Sequence, residues 1–237
     1  MLLLTALTII KYKNWAIPFG WLSMAVFRLP MFFNKKISFY KLMGTGLNGT
    51  FDIKPDIKTW AILAVIKDGH QHELEYNKLY GKFIQKWIAV FSKEQYSLLM
   101  EPIAGHGLWD GKNVFGILPP KSEHEGITGT LTRATIRPSK LIHFWKNVAP
   151  VAQNMKSADG YLFSVGIGEV PWLKQATFSV WSSMEKMKAF AYQKREHSEV
   201  IKKTRKENWY KEDMFVRFRI SATYGNYKGA DPLKLNH

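Results

Sequence analysis

The chain has 237 residues, 46% of them apolar and 22% charged, enough for one large domain or two small fused ones with a sizeable core. It has no cysteine, which excludes disulfides, thiolate catalysis, thiolate-ligated haem and cysteine-bound zinc or iron–sulfur centres, and fits a cytoplasmic protein. Thirty-four Lys and Arg against nineteen Asp and Glu leave a net charge of +15. That excess favours anionic partners, but it is spread along the chain without a zinc-finger or RNA-recognition signature. A membrane surface is therefore expected ahead of nucleic acid.

The opening MLLLTALTII lacks a basic flank and a small-residue cleavage site, so residues 4–10 read as a buried strand rather than a signal peptide. The apolar run 15–33 has about the length of a bilayer span. Arg28, Pro18 and Pro30 count against a span, and the run reads first as a helix covering a sheet, with interfacial lipid contact as the alternative. Asn14 is its expected N-cap. Strands are predicted at 37–46 and 59–66, then an amphipathic helix over 73–90 with Tyr76, Leu79, Tyr80, Phe83, Trp87 and Ile88 on one stripe. A fourth strand is predicted at 96–105.

After a polar, turn-rich connection the order repeats. A strand at 128–136 precedes a helix at 139–155 capped by Ser139, and YLFSVGIG (161–168) aligns with FYKLMGTG (39–46). A strand at 175–181, a helix and a last strand at 211–222 complete the copy. Strand–helix–strand–strand–helix–strand is the ferredoxin-like arrangement, an antiparallel sheet with helices on one face. The fold class is thus α+β, with tandem ferredoxin-like units. The expected organisation is an N-terminal unit at 1–110, a connection at 111–127, a C-terminal unit at 128–222 and a polar tail at 223–237. A pocket is expected between sheet and helices.

Among candidate site residues, His197 falls at helical spacing on a stripe with Met187, Phe190, Ala191 and Ile201. An apolar pocket without cysteine but with one histidine is what a histidine-ligated haem requires. The alternative is a solvated flank, since Lys194, Arg195, Glu196 and Glu199 surround it. His143, beside Phe144 and Trp145, is the competing ligand. His106 reads as a turn residue, and His70 with His72 as a surface pair. Arg133 and Arg137 stand four apart on a strand and are expected to point the same way. They would bind a haem propionate or donate to bound dioxygen, unless that face is solvated or ion-paired. The GIGE at 166–169 lacks phosphate-loop spacing and context.

LTRATIRP (131–138), HFW (143–145), GIGEVPW (166–172), ATFSVW (176–181), His197 and ENWYKEDMFVRF (207–218), in this order, resemble the spheroidene monooxygenase family of carotenoid biosynthesis. FYKLMGTG and WAILAVIKD extend the resemblance through the first half. It implies a dimeric α+β barrel-type fold and an oxygenase acting near the end of an acyclic carotenoid, with haem b as cofactor. It also implies His197 as iron ligand, Arg133 or Arg137 as polar partner, and Phe144, Trp145 and Trp172 as pocket walls. The implied partners are a lipophilic substrate, dioxygen and an external electron donor, with no nucleic acid. A peripheral contact with the inner membrane surface and further copies of the chain are options. The alternatives are a peroxidase-like or dehydratase haem enzyme of the same barrel, and a non-catalytic barrel that binds haem or a lipophile.

Overall fold

The computed structural model describes residues 3–47, 52–67, 79–193, 204 and 207–234, leaving aside the side chains at 148–153, 192 and 193. Eight strands form one closed antiparallel barrel: β1 (Leu4–Tyr12), β2 (Ile37–Gly46), β3 (Pro55–Ile66), β4 (Ser92–Gly107), β5 (Thr128–Ile136), β6 (Tyr161–Val170), β7 (Lys174–Trp181) and β8 (Tyr210–Gly225). The order round the barrel is β1-β3-β2-β6-β7-β5-β8-β4. Read as two quartets, β4-β1-β3-β2 and β8-β5-β7-β6 are the same permutation, so the duplicated unit is visible in the topology. The halves are stitched unequally. Pairing of β4 with β8 runs from Tyr96↔Gly225 to Gly107↔Met214, whereas β2 meets β6 only at Gly44↔Gly168 and Thr45↔Ile167.

Alternation along each strand divides the core. Inward side chains, among them Leu7, Leu63, Leu98, Leu131, Phe178 and Phe218, fill the barrel. Outward ones meet the helices: α1 (Ile17–Val26), α2 (Arg28–Phe33) and α3 (Lys82–Phe91) over the first half, α4 (Leu141–Lys156) and α5 (Met184–Gln193) over the second. Over the first half the outer face is densely apolar. Its buried Thr8 hydroxyl is satisfied by Tyr80 and Ser97, at 2.7 and 2.6 Å.

Several predicted boundaries shift. The helix expected over 73–90 begins at Lys82, because Gly81 adopts φ 83°, which interrupts a right-handed helix. Leu79 and Tyr80 still pack into the core from the turn before it, and residues 68–78 lie outside the described ones. Asn14 and Ser139 do not act as side-chain caps: each sits inside a 3-10 turn that leads into its helix. The predicted first helix is two, with a turn at Phe27 across which the Phe27 and Met31 amides still reach Ser23 and Phe27 carbonyls. The polar tail begins inside β8, whose end and the segment after it seal one barrel mouth. Asp231 accepts from Tyr96 and Thr223 there, and Leu233 is buried. The connection at 111–127, with Trp109 and Asp110 before it, closes the other mouth, dropping Trp109 and Phe115 into the barrel core.

Candidate functional site

Two polar constellations stand out, on opposite sides of the β5–β8 sheet. The first lies inside the barrel, at the mouth closed by Trp109. Arg133 on β5 is 1% exposed and is gripped by Glu212 of β8, Asp110 at 2.9 Å and Glu169 of β6 at 3.4 Å. Lys41 of β2 pairs with Asp110 and Glu169, and Lys174 of β7 with Asp110 at 2.7 Å. Three cations thus face three carboxylates, with the Trp109 ring 5.3 Å beneath the guanidinium. Partial burial opposes ionisation of Asp110, but hydrogen bonds from Lys174 and Lys41 and the charges of Lys41 and Arg133 hold its carboxyl well below the usual range. Glu212 is likewise held low, burial being outweighed by the backbone amides of Gly111 and Asp110 and then by Arg133. The cluster is charge-balanced and closed. It orders the mouth of the barrel and holds both terminal nitrogens of Arg133 on carboxylates, while the buried Nε has no partner.

The second constellation is on the outer face. The strand registers put Ser164, Ser179, Thr130 and Arg217 in one row across β6-β7-β5-β8. Gly166, Thr177, Thr132 and Phe215 form the next. Where the first half presents bulky aliphatics, this face presents glycine, serine and threonine. Packed groups close both ends of it. At one, Trp181, Met184, Met187, Phe190 and Met155 cluster under α5. At the other, Phe144 packs with Ile136 and Trp209. The two ends of α4 join the two groups, so α4 runs over the small-residue rows. Trp181 donates to Ser179 and Tyr161 meets Ser164. The Thr130 and Thr177 hydroxyls and the Arg217 Nε, by contrast, are buried without a hydrogen-bond partner. Orphaned buried polar atoms are costly in folded proteins, and here three of them lie among small side chains; on the first half's outer face the Tyr12 hydroxyl and the Trp60 and Trp87 indoles are also unpartnered but are packed among bulky groups.

The structure therefore separates the residues that the sequence grouped. Phe144 and Trp145 pack with Ile136 and Trp209 at one end of the small-residue face. Arg133 belongs to the other side of the sheet. Arg137 lies beyond the end of β5, exposed, with its amide on the Trp209 carbonyl, so the even spacing does not bring the two arginines together. Trp172 sits in the tight β6–β7 turn at φ 63°, 51% exposed, its indole donating to the Ile53 carbonyl, and is not a wall of this face. His143 is exposed on α4. His106 is exposed too, its ring 6.0 Å from that of Phe215. His197, His70 and His72 lie outside the described residues. Among the described residues no group of three or more His, Asp or Glu side chains could hold a metal ion.

The sequence reading missed Arg217, Thr130 and Thr177. Their signal was the run of hydroxylated residues at alternate positions of β5 and β7, which a buried outer face does not need. It also missed Asp110 and Glu212, whose partners are brought together only by barrel closure. Cavities of about 180 Å³ under residues 113–118 and about 110 Å³ at the other mouth are both below the 300 Å³ or so where small-molecule sites begin.

Two fused ferredoxin-like units closed into one barrel, with a polar, small-residue face under the helices of the second unit, define an α+β barrel of the dimeric type. Solved aldoxime dehydratases share this fold. One aligns with a TM-score of 0.61 at 10% identity, covering 98% of this chain and 86% of its own. Another, in complex with butyraldoxime, aligns at 0.59 and 7%, covering 92% and 79%. The chain belongs to the spheroidene monooxygenase family. It is 34% identical to the Rhodobacter capsulatus spheroidene monooxygenase over 215 residues, 89% of this chain and 86% of that protein. It is 35% identical to that of Cereibacter sphaeroides over 213 residues, where it spans 64% of the relative's length. The Rubrivivax gelatinosus protein is 32% identical over 194 residues. No protein-family model matches.

Proposed function

We propose that this chain is a haem-dependent monooxygenase that oxygenates an acyclic carotenoid or a similar lipophile, with the haem held against the outer face of β5–β8. The observation that carries the reading is the row structure: small side chains in two registers, with Thr130, Thr177 and Arg217 keeping buried polar atoms unpartnered beside them. A flat apolar macrocycle with anionic edge groups matches such a face. Glycine and serine leave it thickness, and the Arg217 guanidinium offers a cation for a carboxylate. Family membership supports the carotenoid, and the resemblance supports haem; haem would supply activation of dioxygen with electrons from an external donor.

In this reading the chain's own residues bind and orient the ligand. Phe144 and Trp209 border the face at one end and Trp181 and Phe190 at the other, with Thr132 between them open to solvent. Trp181 and Tyr161 fix the serine hydroxyls by hydrogen bonding, leaving the threonines to meet a ligand. His197 is the proposed iron ligand. It stands in the chain between Phe190 and Thr204, and Phe190 packs at one end of this face while Trp209, which donates its amide to Thr204, packs at the other.

The test is the absorption spectrum of haem-reconstituted protein with and without His197→Ala. Loss or displacement of the Soret band supports the assignment, and an unchanged band overturns it. Supplying an acyclic carotenoid with a reductant should give a hydroxylated, then a ketone product. Turnover of an aldoxime with no carotenoid product would favour the dehydratase reading instead.

A further inference from the structure

The first two helices invert the usual rule for a helix on a sheet. Facing the barrel, α1 and α2 present Gly20, Ser23, Phe27 and Met31, after Ala16, all buried. Facing outward they present Trp21, Leu22, Leu29, Phe32 and Phe33, which with Trp15 are between 48% and 72% exposed. The exposed positions recur at three- and four-residue steps. The carbonyl-to-amide bonds carried across the Phe27 turn keep both helices in one helical phase, so these side chains form one continuous stripe. The stripe is not a sum of isolated surface residues. Ring contacts run from Trp15 to Phe19 at 6.1 Å, from Phe19 to Trp87 at 5.9 Å and from Trp87 to the exposed Phe83 of α3 at 5.9 Å.

Its electrostatic frame is one-sided. Residues 12–40 contain Lys13, Arg28, Lys35 and Lys36 and no acid, and α3 adds Lys82 and Lys86, again without an acid. An apolar, aromatic surface whose own helices carry, among the described residues, cations and no acid is the composition of a helix lying in the headgroup layer of an anionic membrane. The segment is long and apolar enough to cross a bilayer, but Ala16, Phe27 and Met31 are locked into the core against β1 and β3, so crossing would require tearing that core open. A second copy seated on the same stripe would bring Arg28, Lys35 and Lys36 against their own counterparts, without acids to meet them.

We propose that the outer face of α1 and α2, extended by Phe83, is a membrane-docking surface that seats on an anionic phospholipid bilayer without spanning it. This inference is independent of the haem reading. It places the protein where a long polyene dissolves, and it holds whether or not a carotenoid is the substrate.

Co-sedimentation with phosphatidylcholine vesicles, with and without phosphatidylglycerol, tests it. The protein should partition onto the anionic vesicles about ten-fold more strongly and lose that preference at high salt. Phe32→Glu/Phe33→Glu should lower partitioning about ten-fold or more, and Lys35→Glu/Lys36→Glu should erase the anionic preference. Both variants alter exposed side chains, and their circular dichroism and melting should match the parent. Wild-type protein that stays in the supernatant with both vesicle types overturns the proposal. So does a Phe32→Glu/Phe33→Glu variant that binds vesicles as the parent does while its sedimentation-equilibrium mass halves, which would make the stripe a contact between copies.

Discussion

Arg133 and Arg217 lie on neighbouring strands of one sheet and face opposite sides of it, the first held by three carboxylates through its terminal nitrogens, the second lying 5.0 Å from the Phe215 ring, and the Nε of each is buried and unpartnered. Removing the first takes the paired cation from Glu212 and leaves three carboxylates facing two lysines at the mouth. Arg133→Met should cost on the order of 3–5 kcal/mol of unfolding free energy by chemical denaturation. Removing the second relieves an unsatisfied group, so Arg217→Met should change stability by about 1 kcal/mol or less while weakening haem capture in titration. Equal destabilisation by both substitutions would contradict the division of roles.

The ion cluster sets a pH window. Asp110 and Glu212 have depressed folded-state pKa values, so their contribution is complete above the unfolded carboxylate value of about 4 and is lost as the pH falls below it. Burial works against the Lys41 ammonium, yet hydrogen bonds from it to Asp110 and Glu169 raise its pKa, so its contribution is complete below about 10.4 and is lost as the pH rises through the folded value. Melting temperature against pH should show a plateau between these limits. Glu212→Gln should flatten its acid shoulder, and an unchanged shoulder would place the titrating group elsewhere.

The threonine hydroxyls carry a distinct expectation. Thr130→Val and Thr177→Val each replace a buried hydroxyl without a partner by a methyl group of similar size. In ligand-free protein each should leave stability equal or raise it by about 1 kcal/mol. A loss beyond that in urea titrations would mean the hydroxyl is already satisfied.

Gly20 brings α1 close to β3. A Cβ built there would stand 2.9 Å from Trp60 Nε1 and 3.1 Å from Tyr12 Cδ2. Gly20→Leu should therefore lift the helix and cost about 1–3 kcal/mol, read as a lowered urea midpoint. A midpoint equal to the parent's would show that the contact with Trp60 yields freely.

How much of this was legible beforehand follows the range of each interaction. Strand order and duplication came through because alternation and turn residues are local, and YLFSVGIG could be laid on FYKLMGTG by eye. Within the described residues the helix predicted over 73–90 is present only from Lys82, because the apolar stripe continues through Gly81, whose backbone angle a right-handed helix does not accept. Arg133 and Arg137 were paired by even spacing, which holds only while both are on the strand. The six charges of the Arg133 cluster, Arg133 included, come from β2, β5, β6, β7, β8 and the turn after β4; only closure of the barrel assembles them. Trp109 hid just ahead of the polar connection, although a buried indole there is what closes the mouth.

The β2–β6 junction has a mechanical consequence. Two residue pairs hold that edge, Gly44↔Gly168 and Thr45↔Ile167, whereas the β4–β8 edge is sewn along most of its length. Beside the short edge, Lys41 of β2 and Glu169 of β6 bridge the gap with side chains. The barrel therefore resembles a sleeve with one stitched seam and one clasp. Amide exchange at Gly44 and Thr45 should run ahead of exchange along β8, and acid or concentrated salt should release the clasp first and let the sleeve gape along that line.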